Sequence, residues 1–300
     1  MYYLISLLTG IFISLMVAFN GGLTKQYGVY FATVIVHITG LILITALVLA
    51  KHERPFSKKH AWFLYLGGAI GVLTTVFNNL AFGRISVSAI LALGLFGQTI
   101  IGLIIDQHGL FNMPKHPFRK KKLIGLSFIF LGIASMINNF EIIAVIVSFI
   151  AGVNIVLSRT LNAKLADLTS VRTSTLYNYL IGLVISIPVF FLLGHSDAIY
   201  MDFVFSSNLY IYFGGILGVC IVLICNMIVA KISAFYLTLF IFIGQVFSGV
   251  LIDIIISQEF SPRNLIGGIL VTIGLGVNLM LDIAHSKNTY PPYGSWYTDI

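Results

Sequence analysis

The sequence predicts an all-α integral membrane protein whose ten transmembrane helices form two inverted five-helix repeats. Three observations predict this: a composition too apolar for water, ten apolar runs of crossing length, and self-similarity at an offset near 142 residues. Of 300 residues, 58% are hydrophobic and only 9% are charged, and the mean hydropathy is +1.01. Soluble domains carry about 25% charged residues, so this chain lacks the charge to cover a water-facing surface, which excludes a soluble enzyme.

A crossing helix takes about 20 apolar residues. Apolar runs fall at 2–19, 31–50, 61–80, 86–106, 123–140, 142–160, 173–194, 209–230, 233–256 and 264–284. None shows the period-two alternation of a barrel strand, and helices satisfy their own backbone groups in lipid. The first run has neither a basic leader nor a small-residue cleavage site, so it reads as a membrane helix rather than a signal peptide. The fifth and sixth runs meet at Asn138-Asn139-Phe140-Glu141, the only room for a turn between them.

Charge placement tests the count. With ten spans, one side carries both termini and the loops near 51–60, 107–122, 159–172 and 231, which together hold 14 of the 17 Lys and Arg residues. The other side holds Lys25, Arg84 and Arg263. This asymmetry predicts cytoplasmic termini. The net charge of +7 is therefore read as topology, not as a nucleic-acid surface. The loop histidines His52, His60, His108 and His116 have no helical i, i+4 spacing, and no metal site is expected. Cys220 and Cys225 are five residues apart, about 500° of helical rotation, and suit neither a disulfide nor a metal.

The self-similarity is specific. At an offset of 142, Gly10, Asn20, Thr33 and Gly40 match Gly152, Asn162, Thr175 and Gly182. The offset becomes 147 for Gly67-Gly68 with Gly71, which match Gly214-Gly215 with Gly218. At that same offset Asn79 matches Asn226, Gly97-Gln98 matches Gly244-Gln245, and Asp106 matches Asp253. The division is residues 1–140, residues 141–284, and a cytoplasmic tail at 285–300. Five is odd, so the second copy enters the membrane the other way up. Inverted repeats of this kind place a solute site near the midplane of many secondary transporters.

Polar side chains in hydrocarbon are costly and face a cavity or a partner helix. Gln98, Gly102 and Asp106 are spaced i, i+4, i+8, and Gln245, Gly249 and Asp253 repeat that stripe. The glutamines flank the midplane and are candidates for solute binding; interhelical hydrogen bonding is the competing role. Asp106 and Asp253 lie near opposite faces as candidate gating or proton-coupling groups; a helix-end role competes. Asn79 and Asn226 are further candidates, as are His37 and its repeat mate Tyr179, for which packing is the alternative. Arg159, whose mate is Val17, is an anchor or an anion contact. Gly125, Gly132, Gly267 and Gly274 suit packing within the chain or a homodimer.

The cluster Gly67-Gly68-x-x-Gly71 and the run Gly97-Gln98-x-x-x-Gly102-x-x-x-Asp106-x-His108-Gly109 resemble the YdcZ-like branch of the drug/metabolite transporter superfamily, over about residues 2–284. The second half lacks the His-Gly pair, having Ile256-Ser257 instead. The resemblance implies a ten-helix fused form, a bacterial inner-membrane location and export. The distantly related small multidrug pumps use a carboxylate within their first helix, and neither 2–19 nor 142–160 contains one.

The expectation is a secondary transporter for a small polar or amphipathic solute, with no cofactor, working within the lipid bilayer by alternating access. Helices three, four, eight and nine are expected to line its cavity. A lipid-carrier flippase of the same fold and a non-transporting sensor or assembly partner are the alternatives.

Overall fold

The computed structural model describes residues 2–55, 60–112, 119–137, 141–195, 204–229, 234–258 and 260–289. Among them there is no strand, only one isolated bridge, Phe82 to Ile85, closing the turn at Gly83-Arg84. The helices are α1 (Tyr2–Tyr27), α2 (Val29–Ala50), α3 (Leu66–Ala81), α4 (Val87–His108), α5 (Lys122–Met136), α6 (Ile142–Leu168), α7 (Val171–Leu193), α8 (Gly214–Val229), α9 (Ala234–Ser257) and α10 (Pro262–Thr289). By length and composition, seven helical segments among the described residues can cross a membrane. Lys122–Met136, Leu209–Cys225 and Phe240–Ile256 are apolar but shorter.

Two boundaries depart from the apolar runs for one reason. α1 continues past Asn20 to Tyr27, and α6 continues past Arg159 to Leu168. Loss of apolarity marks where hydrocarbon ends, not where helical hydrogen bonding ends. At 26 and 27 residues these helices are about 40 Å long, against a hydrocarbon core of about 30 Å. The segment expected as a basic loop at 159–172 is thus mostly helix, broken only at Thr169-Ser170, where Ser170 Oγ caps α7 by accepting the Thr173 N–H at 3.0 Å. The corresponding break between α1 and α2 is Gly28, at φ +83°. α10 runs five residues into the segment read as a tail, to Thr289. α3 and α8 begin late, each preceded by a 3-10 segment, Trp62–Tyr65 and Leu209–Phe213. Residues 138–140 of the expected turn lie outside the described residues.

Glycines set the packing. On α1, a Cβ at Gly10 would stand 2.7 Å from the Gln245 amide nitrogen and 2.9 Å from the Gly244 Cα of α9. On α6, a Cβ at Gly152 would stand 2.9 Å from the Gly94 Cα of α4. Only glycine permits such approach. Gly244 abuts the Leu7 carbonyl, and Gly97 abuts the Phe149 carbonyl. Gly125 meets Gly274 while Gly132 meets Gly267, so α5 and α10 cross antiparallel and spend these four glycines inside one chain. α2 and α7 are antiparallel too: Phe31 lies against Phe190 at one end, and Ile44 joins Leu176 in one buried cluster toward the other. The largest core cluster, with Phe242, Ile129 and Val246, joins α4, α5, α9 and α10. α7 carries Pro188 within its continuous length; α2 has Ala46 at the corresponding place.

Candidate functional site: a polar seam with tied ends

His37 and Tyr179 sit together in the α2–α7 contact, ring centroids 5.9 Å apart. His37 is 4% exposed, and its Nδ1 lies 2.8 Å from the Thr33 carbonyl one turn back. Tyr179 donates its phenol to the Gly215 carbonyl at 3.2 Å. Asn79 of α3 reaches the same layer: its Nδ2 donates to Thr33 Oγ1 at 3.2 Å and the Val29 carbonyl at 3.4 Å. All three side chains therefore have packing partners as well as their place in the seam. The Asn226 side chain lies outside the described residues.

Gln98 and Gln245 occupy the adjoining α4 and α9. Gln98 is half-buried and Gln245 buried, and neither side-chain amide bonds another described residue. The Gln245 backbone is engaged: its carbonyl accepts the Ser14 hydroxyl of α1 at 2.9 Å, and Ser14 shares a 2.7 Å bond with Ser248. The interhelical side-chain bond that competes for these amides is unfilled among the described residues.

Asp253 of α9 lies against the start of α4. Its carboxylate accepts the Val87 N–H at 2.6 Å, the Ser88 N–H at 3.0 Å, the Ser88 hydroxyl at 2.5 Å and the Asn264 amide at 3.4 Å. It thus satisfies donors that the start of α4 leaves open and complements the positive end of that helix. A cavity of about 520 Å³ opens beside it, lined by Lys25, Phe82, Phe260, Arg263 and Asn264 among others. This mouth lies between the α3–α4 and α9–α10 turns; a second opening, of about 440 Å³, is an apolar groove of α4 and α5. The Asp106 side chain lies outside the described residues.

Three features were not singled out from sequence. The first is a polar column: Asn162 Nδ2 donates to Asn178 Oδ1 at 2.8 Å and to Ser158 Oγ at 3.3 Å, while Ser158 donates to the Gly67 carbonyl at 2.7 Å. Asn154, Ser158 and Asn162 at i, i+4, i+8 were the available signal. The second is an ionic clasp. Glu53 accepts Ser170 Oγ at 2.6 Å, Thr173 Oγ1 at 3.0 Å and Arg172 Nε at 2.5 Å, tying the α2–α3 loop to the α6–α7 break. Tyr177 reinforces it by donating to the Pro55 carbonyl at 3.1 Å. Burial raises the Glu53 carboxyl, but hydrogen bonds from Ser170, Arg172 and Thr173, with the Arg172 charge, outweigh this and hold it below the ordinary carboxylate value. The acid inside a basic loop was its only trace. The third is a phenolic clasp at the other end of α2: Tyr27 bonds Tyr212 and donates to the Val204 carbonyl at 3.1 Å, and both phenols accept the Ser206 N–H.

Apolar helices of crossing length define a polytopic membrane protein. The family model DMT_YdcZ, described as "Putative inner membrane exporter, YdcZ", matches residues 1–135 and 143–277, and the chain belongs to that family. It is a multi-pass inner-membrane protein of an exporter family, not of an enzyme family. No curated protein matches the chain. A solved structure described as "Crystal structure of protein" is similar in fold, with TM-score 0.66 and 16% identity, over 93% of this chain and 98% of the other.

Proposed function

We propose that the chain is a secondary transporter that exports a small polar or amphipathic solute by alternating access between two inverted five-helix repeats. One observation carries this reading: contacts recur when each helix is exchanged for the one five places later. Gly10 on the Ile241 carbonyl corresponds to Gly152 on the Gly94 carbonyl, and Gly244 on the Leu7 carbonyl to Gly97 on the Phe149 carbonyl; Asn20 beside Gly214 corresponds to Asn162 beside Gly67. The family match in two segments, starting at residues 1 and 143, supports the same duplication. Antiparallel packing of α2 with α7 and of α5 with α10 supports inversion, because each pair joins equivalent helices.

Rocking of such halves about a shared seam opens one mouth as it closes the other. Gln98 and Gln245 hydrogen-bond the solute, with Asn79, Asn226, His37 and Tyr179 on the seam. Asp253 acts at a mouth by holding the start of α4, and Asp106 acts at the opposite one. Both termini are cytoplasmic.

Two experiments test the reading. Cysteine labelling from each side of the membrane at positions 60 and 195, on a background without Cys220 and Cys225, should place them on opposite sides; labelling from one side removes the inversion. A thermal-shift screen of metabolites identifies a solute, and its counterflow in liposomes should vanish in Gln98→Leu with Gln245→Leu while membrane insertion persists. Normal flux in the folded double variant removes the glutamines from the path.

A further inference from the structure

Lys25, Arg84 and Arg263 are the three basic residues that charge placement assigns to the sparsely charged side. They come from the last turn of α1, the α3–α4 turn and the start of α10, yet they converge on one opening. Lys25 and Arg263 line the cavity of about 520 Å³ beside Asp253, and Arg84 lies between two more of its lining residues, Gly83 and Ile85. All three are exposed. Lys25 Nζ stands 5.5 Å from the ring centre of Phe82, which forms one wall.

The acid in this opening is already engaged. The Asp253 carboxylate accepts the Val87 and Ser88 N–H groups, the Ser88 hydroxyl and the Asn264 amide. It serves the start of α4, so the cations at the rim, not that helix end, are what a ligand meets. Arg263 carries five N–H donors, more than one carboxylate takes up. Even with Glu259 of the same turn counted beside Asp253, these segments keep one net positive charge.

The remaining wall is apolar and opens sideways. Ile256 and Phe260 line the cavity and are 47% and 57% exposed, next to Ile255 at 76%. Depth fits a headgroup. With 26 residues, α1 is about 40 Å long against a hydrocarbon core of about 30 Å, so its last turn, with Lys25, emerges at the interface. Cations above an apolar wall at that level match a phosphate with an acyl chain below it. A free anion has no use for the lipid-facing side.

We propose that the opening between α1, the α3–α4 turn, α9 and the start of α10 binds an anionic phospholipid. Lys25 and Arg263 hold its phosphate, and Ile256 and Phe260 pack against its glycerol and upper acyl chain. The site needs a bilayer and does not rest on the transporter reading.

The test reads lipid at the wall itself. Phe260→Trp, on the full chain with Trp62→Phe and Trp296→Phe, places one indole there; the exposure of Phe260 leaves room for the larger ring. In reconstituted vesicles, quenching by brominated phosphatidylglycerol against brominated phosphatidylcholine gives the relative affinity at that position. Phosphatidylglycerol should be favoured at least threefold. Lys25→Gln with Arg263→Gln should bring the ratio near one, and Lys25→Arg should keep it. Lys120→Gln with Lys121→Gln, in the opposite basic loop, should also keep it. If the double variant fails to insert, Lys25→Gln alone, at an exposed helix end, should lower the ratio about twofold. A ratio near one without the charge substitutions, or one unchanged by removing Lys25 and Arg263, overturns the site. Loss of quenching on adding soluble glycerophosphoglycerol assigns the opening to a free anion and overturns the lipid; persistent quenching supports it.

Discussion

His37 and Tyr179 exchange places across the α2–α7 contact: the imidazole of α2 covers Gly182 of α7, and the phenol of α7 covers Gly40 of α2. The two glycines are 142 residues apart, and so are the two rings. Each ring fills the space that the other helix leaves by having no side chain.

A side chain at either glycine must displace a buried ring. Gly40→Leu and Gly182→Leu should therefore each destabilise the protein by about 1–3 kcal/mol, the usual range for overpacking, and by similar amounts. Tyr179→Phe, which removes only the bond to the Gly215 carbonyl, should cost about 1 kcal/mol or less. Thermal unfolding in detergent measures all three. A large difference between the two glycine variants would break the equivalence.

Glu53 should make the ionic clasp acid-labile. Its carboxyl is held below the ordinary value of 4.5, so its contribution to stability is present above that value. It is lost as pH falls through the lowered folded-state value. Protease sensitivity of residues 51–55 should rise in acid for the native chain. Glu53→Gln should be sensitive already at neutral pH and show little further change. A native loop equally protected on both sides of the transition contradicts the clasp.

Asp253 holds the start of α4. Asp253→Ala leaves the Val87 and Ser88 N–H groups without this acceptor and should cost about 1–2 kcal/mol, as loss of a helix cap does. Asp253→Asn keeps an acceptor oxygen and should cost less. Hydrogen exchange of the Val87 and Ser88 amides reads the effect at its source: unchanged protection in the alanine variant would show that another group caps the helix.

Much of the fold was legible in the sequence because hydrophobic run length and glycine spacing report backbone facts. Gly10, Gly97, Gly152 and Gly244 mark close crossings, and the spacing of the first two recurs in the last two to within five residues. The helix ends were less legible. Asn20 and Arg159 end the apolar runs, yet the hydrogen-bonded ladder continues beyond both. At the site, Asp253 could be read as either a gate or a helix-end residue; its contact with the start of α4 was not legible, because Val87 is 166 residues away. Glu53 shows the opposite failure. In sequence it is one acid among basic loop residues, and only the tertiary approach of Ser170, Arg172 and Thr173 makes it a clasp.

The two clasps stand at opposite ends of α2 and are chemically unlike. Dissolved ions screen a carboxylate–guanidinium pair but have little hold on two neutral phenols. Raising ionic strength therefore weakens one end of the bundle and spares the other. The direction in which the molecule yields becomes a property of its surroundings as well as of its chain.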